Sequence, residues 1–242
     1  MSLSADAIAG NIRSVRERIQ GAASAAGRDA AEIRLIAVSK QMPARSVVAA
    51  IAAGQQSFGE NAVQDAATRQ ALIDAPGTDW HFIGHLQSNK AKAVAGHFDW
   101  LHTLDSIRLA KRLSDSRPDA AGPLRVLLQV NVARDPDKFG LVPDAVYGVT
   151  EDLLQAGHPG IELCGLMTIG QRRATEHQRR AEFIALRELA ADCADRFGAR
   201  YFTELSMGMS DDFETAIEEG ATMVRVGSAI FGPRPSAGSR PG

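Results

Sequence analysis

The feature that most constrains this chain is an alternation between short apolar runs and longer stretches with helical spacing. Ile8, Ile12, Val15 and Ile19 recur every three or four residues, so the chain opens with a helix. Residues 34–39 (RLIAVS) are short, apolar and rich in branched side chains, which reads as a buried strand. A helix follows Pro43, whose fixed φ suits a helix start, and it runs to Gly54. The same pair of signals then repeats. Strands are expected at 57–59, 80–83, 99–103, 125–131, 162–169, 203–205 and 223–226. Helices are expected through Arg69, around 90–95, from Asp105, from Pro143 to Ala156, and over 176–197. That last helix places Phe183, Leu186, Ala190, Cys193 and Phe197 on one face.

Strands that are apolar on both faces need cover on both, and intervening helices provide it only around a parallel sheet. Eight strand–helix units in 242 residues match the size of a single-domain α/β protein, a (β/α)8 or TIM barrel. An open doubly wound sheet is the alternative. At this length folding removes roughly 70–75% of the unfolded surface from water, so no disulfide or metal staple is required. Lys and Arg number 27 against 29 Asp and Glu, with a net charge of −2. Such a balance leaves no polyelectrolyte footprint and argues against a nucleic-acid binder. Cys164 and Cys193 form no CxxC pair and read as buried thiols of a reducing compartment. No apolar run approaches the ~20 residues of a membrane span, and residues 6–18 are amphipathic, unlike a leader peptide. A cytoplasmic location without membrane association is the expectation. The barrel is expected over residues 1–232, with a disordered tail, rich in Pro, Gly and Ser, at 233–242.

In such a barrel the chemistry sits where strands end. Those ends carry Lys40, Glu60-Asn61, His85, Asn131, Met167-Thr168, Ser206 and Arg225. Lys40 terminates LIAVSK, so its ammonium should project into the barrel mouth, where partial desolvation favours a nucleophilic amine able to form a Schiff base with an aldehyde. A lysine snorkelling at the sheet rim is the competing reading. Met223 to Ser228 (MVRVGS) is a strand running into Gly-Ser and a short apolar helix, an arrangement that suits phosphate. The preceding unit ends in Ser206-Met207-Gly208-Met209-Ser210, before a helix with Asp211 and Glu214 at capping-box spacing. Two ordinary capped turns are the alternative here. An amine from the first strand facing phosphate loops from the seventh and eighth points to a phosphorylated aldehyde. Met207 and Met209 are expected to line the mouth as packing. His81 and His85 straddle Gly84 with no ligand set beside them, so no metal is expected. Arg172, Arg173, Arg179 and Arg180 read as a solvated helix start paired with Glu176 and Glu182.

The motifs AVSK (37–40), FGENAVQ (58–64), HFIGHLQSNK (81–90), VNVARDPDKFGL (131–141), GLMTIG (165–170), LSMGMSDDFETAI (205–217) and VRVGSAIFG (224–232) occur in one order. Together they resemble the pyridoxal phosphate homeostasis proteins, single-domain relatives of the alanine racemase N-terminal barrel, over residues 33–232. GLMTIG alone is weak; the last two motifs together are highly specific. The resemblance implies that Lys40 forms an internal aldimine with pyridoxal 5′-phosphate (PLP). It implies that Ser206, Gly227 and Ser228 surround the phosphate, that Asn61 lies near the ring, and that Arg225 faces the pyridine nitrogen. Met207 and His85 are further cofactor-binding candidates, His85 touching the cofactor or packing behind it. Lys138 either contacts incoming cofactor or is a solvated loop lysine.

An Arg at the ring nitrogen cannot hand over its proton, so the ring stays a poorer electron sink. Racemisation needs an acid or base on each face of the substrate carbon, and Lys40 serves one. No further domain is expected to supply the second. A PLP carrier that delivers cofactor to apo PLP-dependent enzymes, with an open mouth and as a monomer or weak dimer, is therefore expected. A PLP-dependent amino-acid racemase is the alternative. A Schiff-base aldolase for a sugar phosphate would leave Arg225 without a task.

Overall fold

A computed structural model of the chain describes residues 3–73, 75–171 and 173–233. The tail expected to be disordered lies, apart from Pro233, outside the described residues.

The eight expected strands all form. They are β1 (Arg34–Val38), β2 (Ser57–Glu60), β3 (Asp79–Phe82), β4 (Trp100–Leu104), β5 (Leu124–Gln129), β6 (Ile161–Met167), β7 (Glu204–Met209) and β8 (Met223–Val226). Each pairs in parallel with the next, and β8 returns to β1 through Leu35–Val224 and Ile36–Arg225, which closes the barrel. Closure excludes the open doubly wound sheet. Helix α1 (Ala5–Ala25) precedes the first strand, with Ser4 Oγ accepting from the Ala7 amide at its start. The crossovers carry α2 (Ala44–Ala52), α3 (Val63–Leu72), α4 (Ala91–His97), α5 (Ile107–Ser116), α6 (Pro143–Ala156), α7 (Glu176–Phe197) and α8 (Phe213–Glu218), and α9 (Ser228–Phe231) follows the last strand. Helix α1 packs on α2, α8 and α9, so it seals the helical ring beside the β1–β8 seam.

Period-2 alternation sorts the strand residues into two cores. Ala37, Phe58, Leu101, Val126, Leu166 and Val224 point outward against the helices, where they meet Val47, Phe183, Leu186 and Phe213. Burying each large apolar side chain there contributes about 1.5–3 kcal/mol. Ile36, Trp100, Leu127, Cys164, Met167 and Met223 fill the barrel interior.

The register shifts between β4 and β5, between β5 and β6, and between β7 and β8, and the last of these shapes the mouth. Between β7 and β8 the register runs Ser206–Met223 and then Met209–Arg225, so β7 carries one extra residue. Gly208 sits at the bulge with φ +90, and a Cβ there would lie 2.6 Å from the Ala216 Cβ. Only glycine adopts this turn against α8 without displacing it.

Two local expectations are corrected. Helix α8 starts after Asp212 rather than with an Asp211–Glu214 capping box: the Asp212 carboxylate turns back to accept from the Met209 amide at 2.6 Å. At α7, Arg180 pairs not with Glu176 or Glu182 but with Glu218 and Glu219, both at 2.6 Å. A helix pair placed side by side by the fold offers Arg180 two carboxylates that no local spacing reveals. Arg172 lies outside the described residues.

Candidate functional site

A cavity of about 340 Å³ opens at the C-terminal mouth of the barrel. Val38, Ile83, Ile169 and Met209 form its apolar walls; Lys40, Ser210, Ser228, Asp211 and Arg225 provide the polar groups. A groove of about 510 Å³ where α1 meets the end of α2 belongs to the outer helical layer and touches no strand end.

Lys40 follows β1 in a loop held on both sides. The hydroxyl of Ser39 donates to Glu60 Oε1 at 2.6 Å. Arg69 from α3 donates to the other Glu60 oxygen at 2.6 Å and to the Met42 carbonyl at 3.0 Å. Burial raises the Glu60 carboxyl above its ordinary value, and the Ser39 and Arg69 contacts oppose that shift. Gln41, next in the chain, adopts φ +63, a left-handed conformation that costs a non-glycine residue of order 1 kcal/mol. The half-buried Lys40 side chain is thereby presented to the cavity from a fixed backbone.

Arg225 forms the cavity's inner end. It is 5% exposed, donates to Ser206 Oγ at 2.7 Å and to the Thr168 carbonyl at 2.9 Å. Burial pulls its pKa down to about 10, partly offset by Asp212, so it stays cationic at neutral pH. Behind it, Ser206 Oγ lies 2.8 Å from His102 Nδ1, and His102 Nε2 lies 2.9 Å from His81 Nδ1. Burial first, then His102 and two arginines for His81, and Arg225 and Arg34 for His102, push both imidazoles well below their ordinary pKa, which leaves them neutral.

The loops after β7 and β8 meet at the cavity, where the Gly227 amide donates to Ser210 Oγ at 3.3 Å. Two serine hydroxyls and the loop backbone suit a phosphate ester, and Lys40 and Arg225 make the rest of the cavity cationic; Asp211 is the one opposing charge in the lining.

Of the residues singled out in the sequence, Lys40, Arg225, Gly227 and Ser228 line this one cavity. Met209, expected at the mouth, lines it too, as do Ser210 and Asp211 from the same loop. Ser206, Met207, Asn61, His85 and Lys138 are not brought into it. Ser206 is fully buried beneath Arg225, so its hydroxyl acts on the guanidinium. Met207 points the other way, into the layer between sheet and helices, because it alternates with the inward Ser206; the bulge that follows at Gly208 turns Met209 inward. Asn61 and His85 are exposed at the rim, where the His85 ring stacks on Phe139 with centroids 3.6 Å apart. Lys138 donates to the Gly170 carbonyl at 3.0 Å and so ties the loop after β5 to the loop after β6.

Sequence reasoning placed Ser210 in the loop after the seventh strand and Glu60 at a strand end, but missed Arg69, the partner of Glu60, and His102 altogether. Arg69 was visible as a cation nine residues beyond the strand-end carboxylate. His102 sits two residues after Trp100, in phase with the barrel interior.

The chain matches the family model described as alanine racemase, N-terminal domain, over residues 3–235. It is 48% identical to the pyridoxal phosphate homeostasis protein of Pseudomonas aeruginosa, covering 94% of this chain and 96% of that protein. Against the Escherichia coli K12 protein of the same name it is 44% identical, covering 94% and 97%. The structure of PipY from Synechococcus elongatus with PLP bound superposes with a TM-score of 0.81 at 38% identity, covering 93% of this chain and all of that one. Alanine racemase from Corynebacterium glutamicum, 22% identical with a TM-score of 0.66, shares the fold over 97% of this chain and 63% of its own. With the two homeostasis proteins and PipY matched along nearly their whole length, this chain belongs to the pyridoxal phosphate homeostasis protein family, on the alanine racemase N-terminal barrel.

Proposed function

We propose that this protein binds PLP at the mouth of the barrel through Lys40 and supplies it to apo PLP-dependent enzymes, without turning over amino acids at a useful rate. The observation that carries the reading is the presence of Lys40, Arg225 and the two phosphate-compatible loops on the walls of one cavity. The name and the PLP-bound structure of its relatives support the same ligand.

PLP supplies a reactive aldehyde and an electron-withdrawing ring. The Lys40 amine attacks the aldehyde carbon, and loss of water leaves a Schiff base to the protein. Ser210, Ser228 and the Gly227 region hold the phosphate end. Arg225 keeps its own proton and so leaves a ring nitrogen beside it unprotonated, which discourages carbanion chemistry. Among the described residues no Tyr, His or Cys lines the cavity to serve as a second acid or base. Asp211 is the one group there that keeps an amino-acid racemase as the second reading.

The experiment combines trapping and transfer. Added PLP should give a saturable visible absorption band, and borohydride should fix a pyridoxyl group on the peptide containing Lys40. Unreduced holo-protein incubated with an apo PLP enzyme should restore that enzyme's activity. A label on another residue, or no transfer above that of free PLP at matched concentration, overturns the reading.

A further inference from the structure

Four buried side chains on four strands make one hydrogen-bonded chain across the barrel: His81 on β3, His102 on β4, Ser206 on β7 and Arg225 on β8. Its direction follows from counting donors. Arg225 is always a donor, so Ser206 Oγ accepts from it. If the Ser206 hydroxyl then donates to His102 Nδ1, His102 Nε2–H donates to His81 Nδ1, and the sole unmatched group is the buried His81 Nε2–H. The reverse polarity strands two groups, the Ser206 hydroxyl proton and the His81 Nε2 lone pair. The first arrangement therefore has the lower cost. Trp100 stacks on His81, with centroids 5.5 Å apart and planes within 9°, and holds the far ring in place.

In this polarity every dipole in the chain points the same way, which makes Ser206 Oγ a stronger acceptor for the guanidinium. The Arg225 side chain is held by neutral acceptors, Ser206 Oγ and the Thr168 carbonyl, while Asp212 acts on it through its charge rather than as a hydrogen-bonded partner. A carboxylate in place of Ser206 would hold the arginine equally well and cancel its charge. The neutral chain holds it and leaves the charge directed at the cavity.

We propose that His102, acting through Ser206 and backed by His81, is a positioning residue that fixes the Arg225 guanidinium toward the ring nitrogen of bound cofactor while preserving its positive charge. This rests on the PLP reading above.

The test compares PLP with 1-deaza-PLP, in which a C–H replaces the ring nitrogen, by absorption titration of the intact protein. Wild-type protein should prefer PLP by about tenfold, the scale of one hydrogen bond to a charged group. Arg225→Leu should bring that ratio to about one. His102→Leu and Ser206→Ala should each lower it at least threefold, and His102→Asn, which keeps an acceptor near the Nδ1 position, should restore most of it. A general loss of packing would weaken both ligands alike and leave the ratio unchanged. An unchanged ratio in His102→Leu and Ser206→Ala, with Arg225→Leu abolishing it, overturns the positioning role while the PLP reading stands. A wild-type protein that binds PLP without preference overturns the placement of Arg225 and the inference with it. Failure of the wild type to bind PLP overturns the underlying reading itself. Ser206→Ala removes a single atom and carries the test alone if His102→Leu does not fold.

Discussion

The Glu60 carboxylate is fully buried and grips Arg69 at 2.6 Å, one loop away from the lysine that faces the cavity. Removing one partner of such a pair strands the other. Arg69→Met should cost about 3–5 kcal/mol in urea unfolding, because Glu60 would be left buried without its cation. The double variant Glu60→Leu, Arg69→Met should recover much of that stability but not PLP affinity, since the Ser39 and Met42 anchors of the Lys40 loop are both lost. A loss below about 1 kcal/mol for Arg69→Met would show that the pair carries no such burden.

Lys40→Ala should lose borohydride-reducible PLP completely. Weak, reversible binding through the phosphate loops should remain, detectable as quenching of added PLP fluorescence. A reducible adduct of wild-type intensity in this variant would move the linkage to another amine.

The loops after β7 and β8 should make the phosphate decisive. Pyridoxal should bind at least about tenfold more weakly than PLP, because charge-assisted bonds are the strongest available to the site. A Cβ at Gly227 would meet Val38 at an ordinary 3.4 Å, so the barrel should tolerate Gly227→Val as judged by its melting temperature. The added methyls should nonetheless weaken PLP binding and spare pyridoxal. Equal losses for the two vitamers would assign Gly227 to folding rather than to the phosphate.

Stability should fall on the acid side through the two buried imidazoles. Their folded pKa values lie well below 6.5, so below that pH the unfolded chain binds more protons than the folded one. Each should remove about 1.4 kcal/mol per pH unit as the pH drops from 6.5 toward 5. Glu60, raised in the folded state, acts with the opposite sign, in a window that opens upward from its ordinary value. His102→Leu should flatten the slope of unfolding free energy against pH by about one proton. A slope identical to the wild type would mean that His102 is charged in the folded protein.

Holo-protein incubated with common L-amino acids should yield little D-isomer by chiral chromatography. A kcat above about 1 s⁻¹ would favour the racemase reading and place Asp211 on the opposite face of the substrate from Lys40.

Much of this architecture was legible in the sequence because it is written locally. Short apolar runs gave way to helical spacing eight times, and β8 forms at Met223–Val226, the range its apolar run marks. The face of α7 was equally plain, since Phe183, Leu186, Ala190 and Cys193 all face the core. The cavity was legible in part. Lys40 and Gly227-Ser228 end strands whose inward phase is unbroken from their first residue. Met207 and Met209 were not separable, because a bulge at Gly208 shifts the phase only when β7 is laid against β8. Ser206 ends up beneath Arg225 for the same kind of reason: depth in a barrel depends on strand stagger, which no single segment contains. The partners of Arg180 and His102 are likewise supplied by elements distant in sequence.

The chain from His81 to Arg225 has a consequence for anyone who would transplant this site. Copying Lys40, Ser210, Ser228 and Arg225 onto the rim of another barrel would set a cation above an apolar interior with nothing to hold it. The portable unit is a column rather than a ring. It reaches one layer below the mouth and includes an aromatic, Trp100, that stacks on His81 and does not line the cavity. A host scaffold should be chosen for its tolerance of two neutral histidines at mid-depth before its loops are considered at all.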